Sequence, residues 1–244
     1  MQSMLRIAIV FGVFLAAFQE QEVCGQSTIQ SYPKVSSASS NASSVQTILE
    51  TLGNANISGS LEFTGHCNSL DYPDFPDFPR VRASANTGGD ALVALRKSFA
   101  SDPLMHVTQD TDGTIRMIER GVPADVLKFK VGHISFVNER GGIYNANAAL
   151  NFLLWSPDMK NFMETHNIRL PFEGGPISAL FGSKPTAVDP PHIYGDLDNV
   201  SVADSLDRIL KVFPGLWIYE NCPQTNKRRR IVYFRFYSLR GNLN

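Results

Sequence analysis

Residues 200–239, VSVADSLDRILKVFPGLWIYENCPQTNKRRRIVYFRFYSL, decide the fold that the sequence predicts. Ser201 and Asp204 have the spacing of a helix-capping pair. The apolar residues that follow share one helical face, namely Leu206, Ile209, Leu210 and Phe213. Pro214 and Gly215 predict the end of this helix. Two strands follow on either side of a polar loop, at residues 216–219 and 232–237. The stretch therefore predicts one βαββ unit, a small sheet with a helix on it.

An earlier stretch matches this unit in outline. Residues 89–99 align with residues 203–213, and the alignment matches an Asp, a Leu, a Lys and a Phe. Two strands are predicted after it, at residues 104–109 and 114–119, and the turn residues 110–113 join them as a hairpin. The sequence therefore predicts an α+β fold of two βαββ-like units, whose small mixed or antiparallel sheets are covered by helices.

The first unit spans residues 45–170 and the second spans residues 192–244, with a linker rich in Pro and Gly at residues 171–191. Within the first unit, apolar periodicity predicts further elements besides the hairpin: a helix at 45–52, a strand at 57–65 and a strand at 123–137. A helical pair ends this unit, with Asn147 and Ser156 as the predicted caps.

The overall composition disfavours functions that depend on charge. The chain has 244 residues, of which 43% are hydrophobic, enough to bury a sizeable core in one or two domains. Its 22 basic residues nearly balance its 23 acidic residues, so the formal net charge is -1. Because no strong overall field would attract a polyanion, we expect no nucleic-acid partner.

The N-terminus has the features of a secretory signal peptide. Arg6 precedes an apolar run at residues 7–18, which is shorter than the roughly 20 residues that a membrane-spanning helix needs. Small residues at the −3 and −1 positions predict cleavage after Gly25, with a cut near residues 16–17 as the alternative. Residues 1–25 are therefore the predicted signal peptide. We expect an exported protein, periplasmic or extracellular, with no transmembrane segment after cleavage; an uncleaved anchor is the alternative.

The mature chain is expected to begin with a tether and to carry two cysteines. Residues 26–44 are rich in Ser, Asn and Ala, a composition that predicts a disordered segment. Cys67 and Cys222 remain after cleavage, and because the compartment outside the cytoplasm is oxidising, we predict a disulfide between them. Two buried free thiols are the alternative. Lipidation of Cys24 is a further alternative for the N-terminus.

A small repeat of acid, aromatic residue and proline at residues 71–79 supplies the candidate binding residues. Proline at every third position favours an extended polyproline II conformation, which presents its side chains outward. Tyr72, Phe75 and Phe78 are therefore the candidates for contact with a partner. The alternative is a rigid loop in which Phe75 and Phe78 pack on the body of the protein.

The sequence contains no catalytic or metal-binding pattern, and we predict no cofactor. The five histidines lack the spacing typical of a metal site: His66, His106, His133, His166 and His192. Residues 110–113 begin like a calcium loop but lack the remaining ligands of such a loop. Neither a glycine loop for phosphate nor a Gly-x-Ser-x-Gly nucleophile motif occurs.

A predicted strand at residues 192–197 leads into a capped helix at residues 199–206. In this order of elements, residues 200–236 resemble the short N-terminal modules of bacterial secretins and TonB-dependent receptors, although we expect no pore or barrel domain to follow them here. The whole chain also resembles uncharacterised exported bacterial proteins, a likeness that implies no activity and rests on residues 59–63, 107–110 and 213–222.

These observations favour a non-enzymatic exported protein, an interaction or structural module of the bacterial cell envelope. Its partner would be an envelope protein or a second copy of the chain. The first alternative is a binding protein for a small ligand or peptide, with a cleft between the two units. The second alternative is a hydrolase whose catalytic residues are dispersed along the sequence.

Overall fold

A mixed six-stranded sheet forms the core of the structure. The computed structural model describes residues 40–65, 78–79, 81, 90–137, 142–170, 190–223 and 229–239, which all belong to one unit at residues 37–244. The elements in chain order are α1 (Ser40–Ala55), β1 (Gly59–Thr64), α2 (Ala91–Ser98), β2 (Met105–Gln109), β3 (Ile115–Glu119), α3 (Asp125–Lys128), β4 (Lys130–Ser135), α4 (Ala146–Leu154), α5 (Pro157–Thr165), β5 (Ile168–Arg169), β6 (Asp196–Ser201), α6 (Val202–Val212), β7 (Gly215–Cys222) and β8 (Arg230–Ser238).

The sheet has the strand order β2-β3-β1-β7-β8-β5, and β4 pairs with β6 in a separate two-stranded sheet. The predicted α+β class is confirmed. β1 runs parallel to both of its neighbours, β3 and β7, while the β2–β3 and β7–β8 pairs are antiparallel. Strands from both predicted units therefore lie in one sheet, and β1 has its backbone groups paired on both sides.

Helices cover both faces of this sheet. On one face, α1 and α2 pack over a core that includes Leu61, Phe63 and Met117 of the strands. On the other face, α4 and α6 pack over a second core that includes Trp217 and Tyr219 of β7. All eight residues of β7 are buried, because the side chains on each face of this strand meet one of the two cores.

The local patterns around α6 and the hairpin form as predicted. The Ser201 hydroxyl caps α6 by accepting a hydrogen bond from the backbone N–H of Asp204 at 3.1 Å. The buried face of α6 includes Leu206, Ile209 and Leu210. The turn between β2 and β3 contains Gly113 at φ 88°, a left-handed conformation that glycine adopts without steric cost.

Two local predictions differ from the structure. Asn145 rather than Asn147 caps α4, because the Asn145 side chain accepts hydrogen bonds from the N–H groups of Asn147 and Ala148. The strand predicted at residues 123–137 begins as the short helix α3, and only Lys130–Ser135 is extended. Val126 and Leu127 are both buried in the same core, whereas an extended chain would place adjacent side chains on opposite faces.

None of the helices in the described ranges is long and apolar enough to cross a membrane.

Candidate functional site

A pocket of about 580 Å³ lies on the sheet face that carries α6. The strands β1, β2 and β3 form its floor, and α3 with the start of α6 forms its walls. Successive side chains of β2 point to opposite faces of the sheet. Met105 and Val107 are buried in the core on the face that α1 and α2 cover, while His106 and Thr108 face the pocket. The lining residues are Glu62, His106, Thr108, Ile118, Glu119, Arg120, Gly121, Val122, Ala124, Leu127, Lys128, Ser201 and Ala203.

Glu62 is the buried acidic group of this pocket. It lies in the middle of β1, opposite Ile118 of β3 and Tyr219 of β7, and only 8% of its surface is exposed. Within the described part of the chain, no group donates a hydrogen bond to its carboxyl. Burial raises the pKa of Glu62 from 4.5 to about 7, an effect that Arg116 partly offsets and Asp207 reinforces. The carboxyl therefore changes charge near neutral pH.

The other charged residues of the pocket lie at its rim. Arg120 donates a hydrogen bond from Nε to Nε2 of His106 at 3.2 Å. Glu119 accepts a hydrogen bond from the backbone N–H of Thr64 at 2.5 Å. Arg120, His106 and Lys128 are all exposed. Water therefore screens the rim charges, whereas it screens the Glu62 carboxyl far less.

An arginine cluster fixes α6 to the sheet beside the pocket. The Arg116 guanidinium donates two hydrogen bonds to Asp207 of α6, each at 2.7 Å, and a third to Asp110, also at 2.7 Å. The Trp217 indole N–H donates to the same Asp207 carboxylate at 3.2 Å. Planar bidentate pairing of this kind restricts both distance and orientation. The cluster therefore holds the pocket wall that contains Ala203.

A second arginine cluster fixes the opposite wall. Arg230 of β8 donates two hydrogen bonds to Asp125 at the start of α3, each at 2.7 Å, and a third to the Tyr219 hydroxyl at 2.9 Å. Tyr219 in turn donates to the Pro123 carbonyl at 3.0 Å. Burial raises the pKa of Tyr219 to about 12, so this hydroxyl keeps its proton at neutral pH. The segment that contains Ala124 is thereby held against the sheet.

The predicted binding residues lie away from this pocket or outside the described residues. Tyr72 and Phe75 are outside the described residues. Phe78 is buried, and its ring centroid lies 5.6 Å from that of Phe63, on the opposite face of the sheet from Glu62. The structure therefore does not bring Phe78 together with the pocket.

One of the predicted disulfide partners, Cys222, lies in the strand that pairs with β1. Cys222 is buried in the last position of β7, while Cys67 is outside the described residues. The backbone N–H of Gly65, the residue after β1, donates to the carbonyl of Asn221, the neighbour of Cys222, at 2.9 Å. The disulfide stays a prediction.

The sequence pattern did not reveal Glu62 as a site residue. Leu61, Glu62 and Phe63 alternate as an amphipathic strand does, and this pattern is typical of a glutamate facing solvent. The burial of Glu62 follows from the central position of β1, which depends on pairing with β7, more than 150 residues later in the chain. The apolar run at residues 216–219 was the available signal, since it is typical of a strand covered on both faces.

In the described ranges, no group of three or more His, Cys, Asp and Glu side chains is placed to hold a metal ion. Comparison of the chain with protein-family models, with curated proteins and with solved structures finds no match.

Proposed function

We propose that this protein is an exported, non-enzymatic binding protein whose pocket takes a small and largely apolar ligand. The observation that carries the proposal is the pocket of about 580 Å³ with the buried Glu62 carboxyl in its floor. Pockets for small molecules are typically about 300–1,000 Å³, apolar for most of their surface, and contain a few placed polar groups. The signal peptide expected at residues 1–25 would place this ligand in the periplasm or outside the cell.

The location of the pocket supports this proposal over the other expectations. Its floor comes from the first predicted unit, and Ser201 and Ala203 come from the second. A binding protein with a cleft between these units is the first alternative to the interaction module that the sequence favours. The two arginine clusters hold the walls in place, which lowers the entropic cost of binding because less of the site has to be ordered by the ligand.

The arrangement of the ionisable groups favours binding over hydrolysis. Ile118 lies between Glu62 and His106 across the sheet, so two strand spacings of roughly 4.8 Å each separate their backbones. In the described part of the chain, neither Glu62 nor His106 hydrogen-bonds to a Ser, Thr or Cys side chain. A nucleophilic side chain and its base need direct hydrogen-bonding contact, and the described residues of this pocket supply no such pair.

Filling the pocket tests the proposal. Ala203→Trp adds a large side chain to the wall, while Val93→Trp adds the same side chain to α2 at a position that is 51% exposed and outside the pocket. NMR titration with indole and with 2-phenylethanol should shift the amide signals of residues that line the pocket. Binding should persist in Val93→Trp and disappear in Ala203→Trp. Absence of binding to the unmodified protein, or equal binding to a folded Ala203→Trp variant, contradicts the proposal.

An interaction module remains a second candidate function because of the edge of the sheet. Among the described residues, β2 pairs only with β3, and the adjacent Leu104 is 46% exposed. An open edge strand can accept a strand from a partner. Cross-linking of a tagged copy in its own cells, followed by mass spectrometry, tests this candidate. Repeated capture of the same envelope protein supports it, and capture of nothing contradicts it.

A further inference from the structure

We infer that the ligand of this pocket carries a protonated amine on an apolar body, and that the amine pairs with the Glu62 carboxylate. This inference rests on the proposed binding function and names the chemical class of its ligand. Three observations support it: the burial of Glu62, the pairing of the neighbouring cations, and the position of the remaining charges at the rim.

The burial of Glu62 strengthens the electrostatic effect of its carboxyl in the pocket interior, because little water reaches it to screen its charge. Its side chain lines the pocket, yet it has only 8% of its surface exposed. Within the described ranges no protein group donates a hydrogen bond to its oxygens, which open to the pocket instead. A buried carboxylate without a donor is costly, and a cation that brings its own N–H donors removes much of this cost. A ligand ammonium group supplies both the charge and the donors.

The interior cation near Glu62 is already paired. Arg116 has one positive charge and hydrogen-bonds to two carboxylates, those of Asp207 and Asp110. Asp207 is partly buried beside Arg116 and balances its formal charge, whereas Asp110 is exposed and is screened by water like the rim charges. The ionised Glu62 carboxylate therefore leaves the interior with a negative charge, which would repel an anionic ligand and attract a cationic one.

The rim charges do not reverse this preference. Arg120 and Lys128 are exposed, so water and salt screen their attraction for an anion. Arg120 also donates to His106, and Glu119 already accepts from the Thr64 N–H. Tyr219, which faces Glu62 from β7, keeps its proton at neutral pH and carries no charge.

Binding of an amine should depend on pH because the ammonium group pairs with the ionised form of Glu62. With a pKa of about 7 for this carboxyl, the ionised fraction rises about tenfold between pH 6 and pH 8. The affinity for an amine should rise by the same factor over this range. A variant at Glu62 assigns the pH dependence to this carboxyl, because His106 and the other residues that line the pocket are the same in both proteins.

The test compares three probes of nearly equal shape: 2-phenylethylamine, 2-phenylethanol and phenylacetate. Their dissociation constants are measured by NMR titration at pH 6, 7 and 8 for the unmodified protein, for Glu62→Gln and for Glu220→Gln. Glu220 is the matched control, because it is also a buried strand glutamate but does not line the pocket. Urea unfolding confirms that each variant is folded.

The expected result is that the amine binds most tightly, with an affinity that rises about tenfold from pH 6 to pH 8. Glu62→Gln should weaken amine binding by at least this factor and remove the pH dependence of amine binding, while its affinity for the alcohol stays the same. Glu220→Gln should change neither the affinity for the amine nor the affinity for the alcohol. Equal binding of the amine to the unmodified protein and Glu62→Gln, or tighter binding of phenylacetate, overturns the inference but leaves the binding function standing. If none of the three probes binds and indole does not bind either, both the inference and the proposed binding function are contradicted.

Discussion

Replacement of Glu62 by glutamine should make the free energy of unfolding less dependent on pH. The folded-state pKa of this carboxyl is raised to about 7, and 4.5 is its ordinary value. A raised carboxyl pKa means that the folded state holds the proton more tightly than the unfolded state does. The stabilising effect of this proton is complete below pH 4.5 and is lost as the pH rises through 7. Glutamine has nearly the same shape and does not ionise, so this loss should be absent in the variant.

The magnitude follows from the same two pKa values. Each pKa unit corresponds to about 1.4 kcal/mol, so the rise from 4.5 to about 7 gives about 3 kcal/mol. Between pH 4 and pH 8 the unmodified protein should therefore lose about 3 kcal/mol of stability that Glu62→Gln retains. Other titrating groups contribute equally to both proteins and cancel in the difference between them.

Urea unfolding followed by circular dichroism, at one-unit steps from pH 4 to pH 8, measures this difference. Glu50→Gln on α1 is the control, because the Glu50 side chain is exposed and water reaches its carboxylate. The free energy of unfolding of this variant should change with pH as that of the unmodified protein does. If the profiles of Glu62→Gln and the unmodified protein stay parallel within about 0.5 kcal/mol, then Glu62 is not desolvated and the electrostatic argument for the pocket is refuted.

Three other substitutions or assays test the rest of the structure. Asp207→Asn should lower the free energy of unfolding by about 3 kcal/mol, because Arg116 would stay buried without its bidentate partner; a loss below about 1 kcal/mol in urea unfolding contradicts this role. Gly215→Ala should cost about 2 kcal/mol, since the new Cβ would lie 2.5 Å from a backbone oxygen of β8, and an unchanged melting temperature would argue against this close approach. Thiol titration of the denatured, unreduced mature protein should find neither Cys67 nor Cys222 free, whereas two reactive thiols would rule out the disulfide.

The local sequence determined those elements whose hydrogen bonds and apolar periodicity lie within a few residues. The Ser201 cap and the buried face of α6 follow from the spacing of polar and apolar residues along one helix. The hairpin between β2 and β3 follows from turn residues that tolerate a left-handed conformation. Together these patterns were sufficient to predict the α+β class.

Only the tertiary structure decided which strands meet and which polar groups are buried. β1 pairs with β7 across more than 150 residues of sequence, and this pairing turns Glu62 from an apparent surface residue into a buried pocket residue. The bond between Arg116 and Asp207 joins residues 91 positions apart, and the α3 helix replaces a predicted strand because Val126 and Leu127 share one core. Burial and charge pairing depend on distances in space, and a local pattern of residues does not contain those distances.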